Sequence, residues 1–413
     1  MMYAKVAVCL SVLLLVIGLS VGLAVGSFKG RDALESAPLI DGHNDLAYNL
    51  YQLLNNKLEE FDMTKNLSGD KLWGRDCCKS CYTDLPRMRK GKMGAQFWAA
   101  YVDCASQYKD AVQLTLRQID VIKRLVAKYP NDLQFVTDAK NIEEAWKNGK
   151  IASMIGVEGG HSIDSSLAIL RIYYELGVRY MTLTHACNTP WADSSVVNES
   201  SVHNLTQFGE AVVLEMNRLG MLVDLSHVSH NVMRRVLEIT RAPIIFSHSS
   251  AFSVCRNYRN VPDDVLHTVK RNNGVVMVNF YSHFVNCNSS RNATIQDVIE
   301  HINYIRNLIG ADHVGIGADY DGVSTVPNGL EDVSKYPDLF DGIYESNAEP
   351  RWTKEELEKL AGRNLIRVLK AVEEVRDTLA KTEKPREDII NVRDIYQVEV
   401  TSNIKTDACY TAS

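Results

Sequence analysis

Short apolar runs separated by helical stretches recur along this chain, and that alternation restricts its fold more than any other feature. Runs with the length and composition of buried strands occupy 38–43 (PLIDGH), 133–137 (LQFVT), 152–157 (ASMIGV), 178–184 (VRYMTLT), 221–226 (MLVDLS), 243–247 (PIIFS), 274–280 (GVVMVNF) and 313–318 (HVGIGA). Between them lie segments such as DAVQLTLRQIDVIKRLVAKY and IQDVIEHINYIRNLIG, whose apolar residues return every three or four positions. Near-continuous apolar strands joined by helices make a parallel sheet covered on its outer face. Eight such units predict a (β/α)8 barrel of the TIM type with extra helices and loops. On this reading residues 36–380 form the barrel, with additional helices and a cysteine-bearing loop within 47–132. Residues 353–380 cover the barrel end, and 381–413 form an irregular tail.

In a barrel of this kind, chemistry sits at the C-terminal ends of the strands. The first strand ends in His43 and Asp45, the third runs into Glu158, and the eighth ends in Asp319 and Asp321. The fourth, fifth and sixth end in His185, His227 and His248. Each residue alone has an ordinary reading: a hydrogen-bonded core histidine, a carboxylate paired with arginine, or, for Asp45, a helix cap. The chain has only eleven histidines, so three at successive strand ends, alongside three carboxylate-bearing ends, favour a shared role. Imidazoles and carboxylates converging on one mouth suit divalent zinc, with one carboxylate shared between two ions. Such a pair lowers the pKa of a water and polarises a carbonyl, so metal-assisted hydrolysis is the reaction class expected. His161, three residues past Glu158, is the nearest competitor and is assigned no metal role.

Residues 6–28 carry no charge and are long enough to span a bilayer, so 1–35 read as a signal peptide or signal-anchor plus short linker. Either places the body outside the cytosol, on the extracellular side of the plasma membrane or secreted. Sequons at Asn66, Asn198, Asn204, Asn288 and Asn292 fit that compartment as glycosylation candidates. So do the eight cysteines beyond Cys9, whose pairing the sequence leaves open. The CCKSC stretch at 77–81 has no second cysteine pair at zinc-knuckle distance, so a local disulfide or loop staple is the better reading of Cys77, Cys78 and Cys81. A net charge of −6 with no long basic run gives no pull toward nucleic acid.

The stretches IDGHNDL, IGVEGGHS, TLTHACNTPWADS, VDLSHVS, PIIFSHSSA, RNVPDDV and GADYDGV occur in this order across about 36–380. Together they resemble the signature stretches of the membrane (renal-type) dipeptidases, within the metallo-dependent hydrolase superfamily. The resemblance implies a barrel holding two zinc ions per chain and hydrolysing the peptide bond of dipeptides through a metal-bridged water. It implies His43 and Asp45 as ligands of one zinc, Glu158 as the bridge, and His227 and His248 as ligands of the other. It further implies that His185 contacts the substrate carbonyl, Arg259 holds the substrate carboxylate, and Asp319 handles protons. Bridges Cys104–Cys187 and Cys255–Cys287 follow from the same likeness, as does a homodimer with Cys409 near its interchain disulfide. The family is typically glycolipid-anchored, whereas TDACYTAS lacks a hydrophobic tail, so attachment through 6–28 or secretion is expected instead. Two other readings compete: a lactonase-like or phosphotriesterase-like barrel amidohydrolase, and a non-catalytic cell-surface binding protein. Many of the former begin H-x-H with a lysine at the fourth strand, where this chain has H-x-D and His185; the latter would have lost ligands, and none is lost.

Overall fold

The computed structural model describes residues 28–196, 204–391 and 393–395. Nearly all of the apolar N-terminal run, together with Asn198 and Cys409, lies outside these. Among the described residues no helix is long and apolar enough to cross a membrane.

Nine strands form one parallel sheet: β1 (Leu39–Asn44), β2 (Met93–Tyr101), β3 (Leu133–Phe135), β4 (Ile151–Glu158), β5 (Val178–Thr182), β6 (Leu222–Asp224), β7 (Ile245–Phe246), β8 (Val275–Val278) and β9 (Val314–Ile316). β1 pairs with both β2 and β9, and β2 pairs with β4 from Ala95↔Ala152 through Tyr101↔Glu158, which closes the sheet. Eight strands therefore make the barrel, as the alternation predicts, but they are not the eight read from the sequence. The second barrel strand is β2, inside the segment assigned to helices and loops. The run at 133–137 instead supplies β3, a short strand beside the N-terminal half of β4. β2 reads MGAQFWAAY; it has no β-branched residue, and its three aromatics are set among Ala, Gly, Met and Gln, so its strand signal is weak. Its place is decided by neighbours on both sides.

The flanking helices used below are α1 (Leu46–Leu54), α2 (Leu85–Lys90), α3 (Ala111–Lys128) and, late in the chain, α4 (Asn364–Leu379). One apolar cluster fills the space between barrel and helices. A second lies within the barrel, where Ile40, Phe97, Met154, Tyr180, Ile245 and Met277 meet Leu365, Leu369 and Val372 of α4. With α4 packed on that interior layer, the polar strand ends remain at the opposite mouth. Disulfides join Cys78–Cys81, Cys104–Cys187 and Cys255–Cys287, and Cys77 is free and exposed.

Candidate active site

Glu158, the last residue of β4, is 4 % exposed and directs its two oxygens to opposite sides. Oε2 lies 3.4 Å from His43 Nε2, which is itself 3.1 Å from Asp45 Oδ2. Oε1 lies 2.9 Å from His227 Nε2 and 3.4 Å from His248 Nε2, with those two nitrogens 2.8 Å apart. The sequence separates these five residues widely; the barrel brings them to one point. Asp45 occupies the N-cap position of α1 but makes no capping hydrogen bond, so the helix-cap reading fails. Asn44 Oδ1 instead accepts the Leu46 amide hydrogen bond.

Neighbouring residues that the sequence reading passed over set the imidazole tautomers. Tyr180 donates its hydroxyl proton to the Gly42 carbonyl and accepts from His43 Nδ1 at 2.9 Å, so Nδ1 keeps its proton and Nε2 is the nitrogen turned toward Glu158 and Asp45. Ser247 donates to Asp224 and accepts from His248 Nδ1 at 2.7 Å, with the same result. Asp224 is anchored in turn by the Thr182 hydroxyl and the Ser226 and Ser247 amides. Partners of this kind orient metal-binding histidines and raise their basicity. Tyr180→Phe is therefore expected to lower divalent-metal affinity about 10- to 100-fold, read by titration against a competing chelator. Unchanged affinity would remove Tyr180 from the site.

The cluster is suited to a cation. Asp45, Glu158 and Asp319 are buried together, face imidazoles, and make no ion pair with lysine or arginine among the described residues. Asp45 Oδ1 is buried without any partner. Burial works against a charged His43, yet Tyr180, Glu158 and Asp45 outweigh it and hold the imidazole pKa well above its ordinary value. Burial also opposes charge on Glu158, but the surrounding histidines hold its carboxyl well below the usual range. His227 and His248 are pushed well below theirs by burial, which keeps them neutral. Donor separations of 2.8–3.4 Å approach about 3.3 Å, the edge of a tetrahedron around a zinc roughly 2.0 Å from each donor.

Three other groups face the same cavity or abut it. His185 stacks between Tyr101 and His227, with ring centroids 4.7 and 4.4 Å away, and burial lowers its pKa so that it is neutral. Asp319 lies 4.0 Å from His43, and burial together with Asp45 and Glu158 pushes its carboxyl well above the usual range. His227 and Asp319 both hold φ of 67°, a left-handed conformation retained where the surroundings impose it. Arg259 is 6 % exposed and contacts Ser249 Oγ and the His248 carbonyl, each at 3.3 Å, and the Phe284 face. Among the described residues it has no carboxylate partner, and its Nε has no partner at all.

Two acids near the site have structural duties. Asp41 accepts the His43 and Ala318 amide hydrogens, each at 3.0 Å, and the Tyr336 hydroxyl, so it ties β1 to β9 and fixes backbone rather than an imidazole ring. Asp321 accepts from Asn44, Asn49, Thr83 and the Tyr82 amide, fastening the chain after CCKSC to α1. That loop, stapled by Cys78–Cys81, forms one rim of a cavity of about 670 Å³ lined by Asp45, Glu158, His185, His227 and Asp319. Gly322 is required here, since a Cβ would lie 2.2 Å from Asp45 Oδ2. His161 bonds the Val102 carbonyl at 3.0 Å, has a pKa pushed down to about 4 by burial, and takes no part in the cluster. Asn279, just past β8, escaped sequence reading: it shares inward register with Val275 and Met277, is fully buried, and neither side-chain atom has a partner.

The profile of the membrane dipeptidases (peptidase family M19) matches residues 29–383. The chain belongs to the membrane dipeptidase family. Dipeptidase 3 of Mus musculus is 45% identical over 344 residues, 82% of this chain; the chain spans 65% of that relative's length. Among solved structures, the metallopeptidase dipeptidase AC is 25% identical, with a TM-score of 0.70 over 81% of this chain and 98% of its own. A Rhodobacter sphaeroides metallopeptidase, solved with a phosphinate mimic of the dipeptide L-Ala-D-Ala, shares the fold at TM-score 0.70 and 24% identity, covering 81% of this chain and 99% of its own. In this member of the membrane dipeptidase family, the polar rim of the barrel is the candidate active site.

Proposed function

We propose that this protein is a zinc-dependent dipeptidase acting outside the cytosol. The observation that carries the reading is the division of Glu158: one oxygen faces His43 and Asp45, the other faces His227 and His248. His43 and Asp45 would hold one zinc and the two other histidines the second, with Glu158 shared. Two zinc ions so held supply a water of lowered pKa and polarise a carbonyl.

The chain's own residues supply the remainder. Arg259, buried and lacking a counter-ion, offers a planar fork to a carboxylate. A dipeptide carries that carboxylate close to its scissile bond, whereas a longer peptide places it elsewhere; the clamp therefore selects length as well as charge. His185, neutral and directed into the cavity, serves as donor to the oxygen that gains charge in the transition state. Asp319, whose carboxyl is easily protonated, takes a proton from the attacking water and returns it to the leaving amine.

Removal of metal by a chelator is expected to abolish release of free amino acids from a dipeptide, with zinc restoring it. Failure to cleave any dipeptide with two zinc ions bound would refute the proposal. Three disulfides and exposed sequon residues Asn66, Asn204, Asn288 and Asn292 support the extracytosolic location. The mass of the mature N-terminus distinguishes cleavage from retention of residues 6–28.

A further inference from the structure

A second, smaller cavity of about 150 Å³ lies against the main one and shares Tyr48, Gln52 and Tyr101 with it. Tyr48 and Tyr101 meet edge to face, 4.8 Å between centroids, and on its other contact Tyr101 stacks against His185. Beyond this wall the lining is chemically mixed. Arg117 of α3 is exposed at the cavity mouth, makes no ion pair among the described residues and has its guanidinium 5.6 Å from the Tyr51 ring centre. Asp103, also exposed, accepts the Ala105 amide hydrogen and likewise makes no ion pair among the described residues, and the two charges are not paired with each other. Gln118, 2 % exposed, lines the same space with its Oε1 buried and without a partner.

An orphaned buried acceptor is destabilising unless something donates to it. A simple anion would engage Arg117 alone, and a simple cation Asp103 alone. A zwitterion meets both, with its ammonium also donating to Gln118 Oε1 and facing tyrosine rings. A space of about 150 Å³ is enough for a benzene-sized molecule, which matches alanine or serine. We propose that this cavity is a binding site for a small free α-amino acid, its carboxylate on Arg117 and its ammonium toward Asp103 and Gln118. Given the dipeptidase reading, on which this consequence rests, the ligand is a product of the reaction. Bound beside Tyr101, it restrains the residue that packs on His185 and slows turnover.

The test is calorimetric titration of L-alanine into the zinc-loaded protein with its main site filled by a phosphinate dipeptide mimic. One saturable site is expected, weakened at least tenfold in Arg117→Gln and in Gln118→Leu. Neither residue belongs to the reacting groups, so both variants should retain wild-type kcat/KM in the absence of alanine. Added L-alanine should lower kcat for an alanine-free dipeptide in the wild type and lose that effect in both variants. No saturable binding, binding unchanged in both variants, or purely competitive inhibition overturns the proposal; so does occupancy by phenol in place of alanine. If the phosphinate does not bind and no dipeptide is cleaved, the functional reading has failed. Titration of L-alanine into wild type and variants still decides the cavity.

Discussion

Glu158→Gln is expected to lower kcat/KM for a dipeptide by about 1000-fold or more, ~4 kcal/mol of barrier, and to leave fewer than two zinc ions per chain. The carboxylate faces a separate donor pair with each oxygen, and an amide cannot serve both sides: its NH2 presents hydrogens where a metal needs a lone pair. The substitution preserves volume at a position 4 % exposed, so the folded state should survive. Metal analysis after gel filtration, paired with steady-state kinetics and circular dichroism, reads all three quantities. Two retained zinc ions with unchanged turnover would eliminate the bridging role.

The second large effect concerns Arg259. Arg259→Met should reduce kcat/KM for a dipeptide by about 100- to 1000-fold, mostly through KM, since truncating one partner of a buried charge pair costs about 2–5 kcal/mol. The physical case is the missing counter-ion: a guanidinium 6 % exposed, held by Ser249 and the His248 carbonyl, with Nε unpartnered. Amidating the C-terminus of the substrate should cost wild type a similar factor. In Arg259→Met the same amidation should cost little, because the charge it removes no longer has a partner. A full multiplicative loss in the combined experiment would show that Arg259 acts elsewhere.

Much of the site was legible because a parallel barrel has one polar mouth. Once apolar runs are recognised as strands, the residues that follow them must gather there, which is why His43, Glu158, His227 and His248 could be grouped from their positions. The reading stopped where residue type and role part company. Tyr180 looks like any core aromatic, yet its hydroxyl fixes the His43 tautomer from 137 residues away. Asp224 follows an apolar run like other strand-end acids but serves Ser247 and the backbone rather than the cluster. Asn279 was hidden as the polar residue inside VVMVNF. The expectation for 133–137 erred for a related reason, since LQFVT has the stronger strand composition and the aromatics of MGAQFWAAY sit among Ala and Gly, and partners decided which closes the barrel.

By itself, then, the sequence determined the barrel class and the order of chemical groups around its rim, because periodic burial and strand-end position are local properties of the chain. Only the tertiary structure decided which strand closes the sheet, which way the two oxygens of Glu158 divide, which nitrogens of His43 and His248 face the cluster, and that Arg259 has no counter-ion among the described residues. These depend on the separations of groups remote in sequence, and hydrogen bonds and ion pairs exist only where such groups come within a few ångströms.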